Sequence, residues 1–311
     1  MAMKKVPGRW RQIPSGSTAT SEKGGDMAKL CVVGAGVVGQ ATGKGFLKLG
    51  HDVTFVDVNA DTVEQIRSNG FSAIFPEEII LRDVEAVFIS VPTPTAEDGV
   101  NLSSLDQACH DIDSALAVFQ SRPVIVFRST ILPGTTRKHL VPLLEKAAGD
   151  SRVGEHVCYN PEYLRERHAQ RDFDCPRIIT IGQSVRSEDA AHRLAELYHP
   201  FDAKVYRCGY EEAEFQKYVN NLFNAAKISF FNEMREMAKG LGIDPTLAFQ
   251  LTVRSAQGMW DPLYGIHDKG VYGGACLPKD TNAWIEYMEE SGFNPIFMQA
   301  VREINRSIGG A

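Results

Sequence analysis

Leu30-Cys31-Val32-Val33-Gly34-Ala35-Gly36-Val37-Val38-Gly39 is the stretch that decides the fold. Leu30 to Val33 form an apolar run bounded by a glycine, the pattern of a short buried strand. The glycines that follow are spaced GxGxxG, and apolar residues then recur at helical intervals from Val37 to Leu49, where Gly50 stops them. In a strand–turn–helix of this kind Gly34 makes the turn, Gly36 lets the backbone reach a pyrophosphate, and Gly39 allows the helix to pack close to the strand. Val37 and Val38 open the helix, where backbone N–H groups face the phosphates. The second apolar strand, Val53-Thr54-Phe55-Val56, ends at Asp57, 23 residues after Gly34. A carboxylate there accepts from a ribose 2′-hydroxyl and repels a 2′-phosphate, so the expected cofactor is NAD rather than NADP. A glycine-rich turn without a ligand is the alternative for GxGxxG alone. Both strands, the helix and the acid together favour the cofactor.

Outward from this stretch, strand and helix patterns alternate. A helix is expected near 61–67, a third strand at Ala86–Val91 broken by Pro92-Thr93-Pro94, and a fourth at Val124–Phe127 leading into Ser129-Thr130. Further apolar runs lie at 156–159, 178–181 and 204–206. This order predicts an α/β fold, a Rossmann-like doubly wound parallel sheet covered by helices on both faces. After about residue 210 the pattern becomes helical. One long helix reads from Glu211 to Leu241, closed by Gly242, with more helix near 245–254, 281–290 and 296–306. Phe215, Leu222, Phe223, Ile228, Phe230 and Phe231 give the long helix more apolar surface than one neighbour covers, so it is expected to pack between domains or subunits, as in a homodimer. The expected organisation is a disordered extension over 1–28, a Rossmann-like domain over 29–207 and an all-helical central domain over 208–311.

At 311 residues there is room for about two domains. The formal charge of −6 argues against nucleic-acid or polybasic membrane binding, and no run reaches the ~18 apolar residues of a spanning helix. Residues 1–28 lack an apolar core, which argues against a signal peptide, and Met27 could be an alternative start. The six cysteines contain no CxxC pair. Five are expected to pack as small buried hydrophobes in a reducing cytoplasm, Cys31 within a strand and Cys158 at the end of one. The eight histidines show no metal-ligand spacing, so no metal is expected.

Cys276 differs. It stands in Gly273-Gly274-Ala275-Cys276-Leu277-Pro278-Lys279-Asp280, where glycines leave room for close approach and a cation and a carboxylate follow the thiol. That is the composition of a nucleophile site, because the thiolate is the reactive species and a cation favours it. Three other clusters carry chemistry. Asn160-Pro161-Glu162-Tyr163-Leu164-Arg165-Glu166 follows an apolar strand, and a helical turn would put Glu162 and Glu166 on one face. Lys217 and Asn221 share a face of the long helix. Ser129-Thr130 stands at a strand end, where α/β sheets bind ligands.

With these motifs in order from about residue 29 to 306, the chain resembles the UDP-glucose/GDP-mannose dehydrogenase family. The matching segments are the GxGxxG start, Val91-Pro92-Thr93-Pro94-Thr95, Ser129-Thr130, Asn160 to Glu166, Lys217 with Asn221, and Gly273 to Asp280. The resemblance implies oxidation of the primary alcohol of a nucleotide sugar to a carboxylate with two NAD⁺. Cys276 would trap the aldehyde as a thiohemiacetal that becomes a thioester. Lys217, with Asn221 beside it, would stabilise oxyanion character. Asp280 would serve the water network, Glu162 would be the base for hydrolysis, and Thr130 would help place a water or the cofactor. Cofactor contacts would include Pro92, Thr93, Ser129, Thr130, Glu166 and Lys279, and substrate contacts Tyr163, Leu164, Lys217, Asn221 and Gly273. Two departures narrow the substrate expectation. The family's C-terminal nucleotide-holding domain is expected to be absent. The family's R-I-G stretch is replaced by Trp260-Asp261-Pro262-Leu263-Tyr264-Gly265, where Arg254 is the candidate substitute. A single-step dehydrogenase and a non-catalytic or split-enzyme subunit remain the alternatives.

Overall fold

The computed structural model describes residues 27–96, 99–119, 122–266 and 270–309. Apart from Met27 and Ala28, the extension expected over 1–28 lies outside them. The chain divides into two compact units between Asn220 and Asn221.

The first unit is built on an eight-stranded sheet. Its strands are β1 (Lys29–Val33), β2 (Asp52–Val56), β3 (Ser72–Ile74), β4 (Val84–Ile89), β7 (Val124–Phe127), β8 (Val157–Tyr159), β9 (Ile178–Gln183) and β10 (Lys204–Gly209), and a small antiparallel hairpin, β5 (Thr95–Ala96) with β6 (Gly99–Val100), stands apart. The order is β10-β9-β8-β7-β4-β1-β2-β3. Pairing is parallel throughout except between β8 and β9, which meet antiparallel at Tyr159 and Gly182. The doubly wound parallel sheet expected from the sequence thus forms with one antiparallel junction in it.

Helices cover both faces: α1 (Val37–Lys48), α2 (Ala60–Ser68), α3 (Ser103–Phe119), α4 (Val141–Ala148), α5 (Ala169–Asp174) and α6 (Glu188–Leu197). The near-continuous apolar strands follow from burial on both sides. Along β1, Leu30 and Val32 enter one core with Phe46, Phe88 and Phe173, while Cys31 and Val33 enter the other with Leu105, Ile112 and Leu144. The chain runs outward from β1 through β2 and β3, then returns to build β4, β7 and β8 on the other side. The resulting crevice at the strands' C-terminal ends is the topological switch point where such sheets bind ligands.

Sequence patterning places β1, β2 and β7 well and shifts the third strand, which is Val84–Ile89 rather than 86–91. It misses β3, which is three residues long, and α3, whose polar and apolar positions interleave. The cysteine expectation holds for Cys31, Cys109 and Cys158, whose thiols burial pushes up to about 12. It fails for Cys175, which is exposed beyond the end of α5, and Cys208 is only partly buried.

The long helix is α7 (Tyr210–Gly240), and the unit boundary falls within it. The second unit continues with α8 (Pro245–Ser255), α9 (Gln257–Trp260), α10 (Leu277–Glu290) and α11 (Ile296–Gly309). An edge-to-face chain of Phe249, Phe231, Phe230 and Phe297 links α8, α7 and α11. Glu233 on α7 accepts from the Phe297 N–H at 2.7 Å, satisfying an orphan donor at the start of α11. Asn305 on α11 exchanges hydrogen bonds with the Tyr272 backbone at 2.8 and 3.1 Å, fixing the chain just ahead of Gly273. On α7, Leu222, Phe223 and Ile228 are each more than 60% exposed, as expected of a helix with surplus apolar surface. No helix among the described residues is long and apolar enough to cross a membrane.

Candidate active site

At the switch point lies a cleft of about 650 Å³, bounded among others by Gly34, Gly36, Val37, Val38, Asp57 and Pro92. The three glycines do different work. Gly34 has φ +85°, and a Cβ there would stand 2.8 Å from the Ser90 and Val91 backbone. A Cβ on Gly39 would stand 1.9 Å from the Gly34 carbonyl oxygen. A Cβ on Gly36 would meet no protein atom within 4 Å, so the space above it opens into the cleft. An open cradle over a helix N-terminus suits a pyrophosphate. Asp57 Oδ2 accepts from the Ala35 N–H at 2.7 Å and Oδ1 from the Asn59 N–H at 2.9 Å, so the carboxylate braces the glycine turn at the ribose position. These residues fit a dinucleotide. Gly39→Ala is expected to cost about 1–3 kcal/mol or more through overpacking and to weaken NAD binding at least ten-fold. Thermal melts and titration calorimetry check both.

On the other side of the switch point, the loops after β4 and β7 are stitched together. Ser129 Oγ donates to the Val91 carbonyl at 2.6 Å, and Thr93 Oγ1 donates to the Thr130 carbonyl at 2.7 Å. Both hydroxyls serve loop geometry here, and the half-buried Thr130 side chain stands at the strand end.

Glu162 and Lys217, remote in sequence, meet in the first unit. Lys217 is 3% exposed and donates to Glu162 Oε1 at 2.7 Å and to the Glu162 carbonyl at 2.5 Å. Glu162 Oε2 accepts from the Leu164 N–H at 2.5 Å. The Lys217 ammonium also lies 5.7 Å from the centre of the Tyr163 ring, a cation–π contact. Tyr163 donates to Gln216, with Thr180 Oγ1 3.2 Å from the same hydroxyl, and burial pushes its phenol up to about 12. Leu164 packs against the core. The helical turn expected to align Glu162 with Glu166 does not form. Residues 160–165 are non-helical, and Glu166 is exposed at the start of a one-turn 3₁₀ helix, Glu166–His168. Pro161 stands ahead of Glu162, and both Glu162 oxygens are drawn to Lys217 and Leu164 instead.

Two buried polar groups behind this pair are not evident from sequence. Glu214, one turn before Lys217, is 0% exposed and accepts from the Gly134 N–H and, at 2.8 Å, from the Thr136 N–H. Burial pushes its carboxyl up, and those hydrogen bonds oppose the shift. The i, i+3 spacing of Glu214 and Lys217 places the two on one face of α7. The start of α7 thus grips the loop after β7 through Glu214 and the loop after β8 through Lys217. Glu214→Ala is expected to leave two buried N–H groups without acceptors and to cost about 2–4 kcal/mol, read by urea denaturation. Arg128 is the other group. It is 4% exposed, bonds Asn160 and, at 2.8 Å, Tyr198, and stacks over Phe173. Asn160 Nδ2 donates to the Thr180 carbonyl at 2.7 Å, completing the network.

In the second unit Cys276 is exposed and stands at the N-cap position of α10, without a side-chain capping hydrogen bond. Gly274 has φ +79°, a left-handed conformation that suits glycine, and a Cβ on Gly273 would meet nothing within 4 Å. Lys279 and Asp280 pair with each other at 2.7 Å, both well exposed. Asn221 lies one turn beyond Lys217 along α7. No group of His, Cys, Asp or Glu among the described residues could hold a metal ion.

Comparison with known proteins covers both units. Residues 28–202 match the UDP-glucose/GDP-mannose dehydrogenase family, NAD binding domain, in two overlapping segments, and residues 211–307 match that family's central domain. A UDP-glucose 6-dehydrogenase of Haloferax volcanii is 32% identical over 89% of this chain and 69% of its own length. A GDP-mannose 6-dehydrogenase of Pseudomonas aeruginosa is 30% identical over 82% of this chain and 63% of its own. The crystal structure of a ternary complex of GDP-mannose dehydrogenase from Pseudomonas aeruginosa superposes with a TM-score of 0.82 at 28% identity, covering 90% of this chain and 68% of that one. The chain thus spans about two thirds of the length of these relatives. Matched in both units, with the glycine cradle of an NAD-binding domain at its switch point, the chain belongs to the UDP-glucose/GDP-mannose dehydrogenase family.

Proposed function

We propose that this protein oxidises the primary alcohol of a nucleotide sugar to a carboxylate, using two NAD⁺. The observation that carries the reading is the buried Lys217–Glu162 pair at the edge of the sheet, in a chain that also holds the dinucleotide cleft. NAD, when bound, supplies the hydride acceptor. Gly34, Gly36, Val37, Val38, Gly39 and Asp57 would hold it on the adenosine and pyrophosphate side, with Pro92, Thr93, Ser129 and Thr130 toward the reacting end and Glu166 and Lys279 as further contacts. In the proposed reaction the Lys217 ammonium stabilises the substrate oxyanion, with Asn221 beside it. Cys276 thiolate adds to the aldehyde carbonyl, giving a thiohemiacetal. The aldehyde would come from the alcohol by loss of a hydride to the first NAD⁺ and of the hydroxyl proton. Loss of a second hydride to the second NAD⁺, with the thiohemiacetal's hydroxyl proton, would leave a thioester, and water would hydrolyse it to acid and thiol. Glu162 takes the proton from that water, and Asp280 orders the proton network. Tyr163, Leu164 and Gly273 line the substrate. The exposed apolar side chains of α7 support a homodimer, which native mass measurement checks.

The test is a panel of UDP-glucose, GDP-mannose and UDP-N-acetylhexosamines with NAD⁺, followed by absorbance. Two reduced cofactors per acid support the reading. One per product would indicate a single-step dehydrogenase, and NAD binding without turnover on any member would count against catalysis of this kind.

A further inference from the structure

We propose that Gln107 and Asp111 on α3 read the amino edge of the cofactor's adenine, making the cleft selective for a 6-aminopurine. This rests on the reading of the cleft as the NAD site. Ser103, Ser104, Gln107, Ala108 and Asp111 all border the cleft. Their spacing places them along one face of α3 over two turns. The buried Ala108 leaves a low floor, and Gln107 and Asp111 are the long polar side chains on that face. Val58 and Pro76, which follow β2 and β3, also border the cleft.

Strand order locates the base. β2 and β3 lie beyond β1 on the side away from β4 and β7. Asp57 follows β2 at the ribose position, and Gly34 to Gly36 take the phosphates. The base on that ribose therefore occupies the portion bounded by Val58, Pro76 and α3. Apolar groups there accommodate the flat faces of a purine, and its edge needs polar partners.

The hydrogen bond within the pair decides which edge fits. Gln107 Nε2 donates to Asp111 Oδ1 at 2.8 Å. That bond uses one of the two Gln107 N–H donors; toward a ligand the pair offers two acceptors, the Gln107 amide oxygen and Asp111 Oδ2, beside the second Gln107 N–H. The exocyclic 6-amino group of adenine carries two N–H donors and matches the two acceptors. A 6-oxo purine puts an acceptor at the same place, which the acceptor-only Asp111 carboxylate disfavours. A Gln–Asp pair at i, i+4 also braces a helix surface without any ligand, and the experiment separates the two roles.

Titration calorimetry compares NAD⁺ with nicotinamide hypoxanthine dinucleotide, in which a 6-oxo group replaces the 6-amino group. The unaltered protein is expected to bind NAD⁺ about ten-fold more tightly, the size of one charge-assisted hydrogen bond at a partly solvated rim. Asp111→Ala should reduce that ratio to about two-fold or less, mainly by weakening NAD⁺, while melting within a few degrees of the unaltered protein. Asp111→Asn should narrow it by strengthening the hypoxanthine analogue, because the amide can turn its N–H groups to the 6-oxo group. Equal affinities in the unaltered protein, or a ratio that neither variant moves, would overturn the inference while leaving the NAD reading intact. Binding of neither dinucleotide would overturn both.

Discussion

Cys276→Ser is expected to reduce acid production by at least about a thousand-fold while leaving NAD affinity within about two-fold, because the covalent route loses its nucleophile. A serine hydroxyl at the start of α10 keeps the shape and the capping position. It lacks the thiolate's nucleophilicity at neutral pH, so the aldehyde is not trapped as a covalent adduct. The variant should therefore stop after one oxidation or release aldehyde, and hydroxylamine in the assay should capture it. The other cysteines give a built-in contrast. Cys31, Cys109 and Cys158 are sealed in the sheet's cores with thiols pushed up to about 12, so Cys→Ala there should alter stability and spare the chemistry. Undiminished acid formation by Cys276→Ser, measured by mass spectrometry of the product, would rule out the covalent route.

The parts of the molecule legible in the sequence are those where one residue type answers one physical demand. Gly34 and Gly39 sit where a Cβ would collide with backbone, and Asp57 follows a strand beside them. Those requirements are local, so spacing alone exposes them. Lys217 was harder to read. A lysine on a helix is ordinarily a solvated charge, and only the fold reveals that this one is buried against Glu162, 55 positions earlier. Glu162 illustrates the opposite error. Its spacing from Glu166 suggested a helical turn, yet the partner across the sheet edge and the Leu164 N–H hold it in extended chain. Glu214 and Arg128 are silent in the sequence because their partners are backbone groups and neutral side chains from other elements, which leave no mark on local composition. The α3 pair is silent for a related reason: Gln and Asp four apart are ordinary on any helix, and only the cleft makes their position informative.

Lys217→Met should have two separable consequences, and the pair's geometry tells how to separate them. Removing the ammonium strands the Glu162 carboxylate, whose side chain is only 13% exposed, with the Leu164 N–H as its remaining donor. Breaking a buried pair from one side costs about 3–5 kcal/mol, chiefly through the charge left unpaired. The proposed oxyanion role adds a loss of about 10²–10³ in turnover, the usual cost of a missing donor at a developing negative charge. The double variant Lys217→Met with Glu162→Gln removes the stranded charge. It should recover a large part of the stability, because a neutral amide is far less costly to bury than a lone carboxylate. Turnover should stay low, since neither the cation nor the base has returned. Urea denaturation reads the first quantity and cofactor reduction with an active nucleotide sugar the second. If turnover recovered along with stability, Lys217 would be a strut between α7 and the loop after β8. If the double variant regained stability alone, the pair would be placed in the chemistry, because a purely structural role predicts that both quantities rise together.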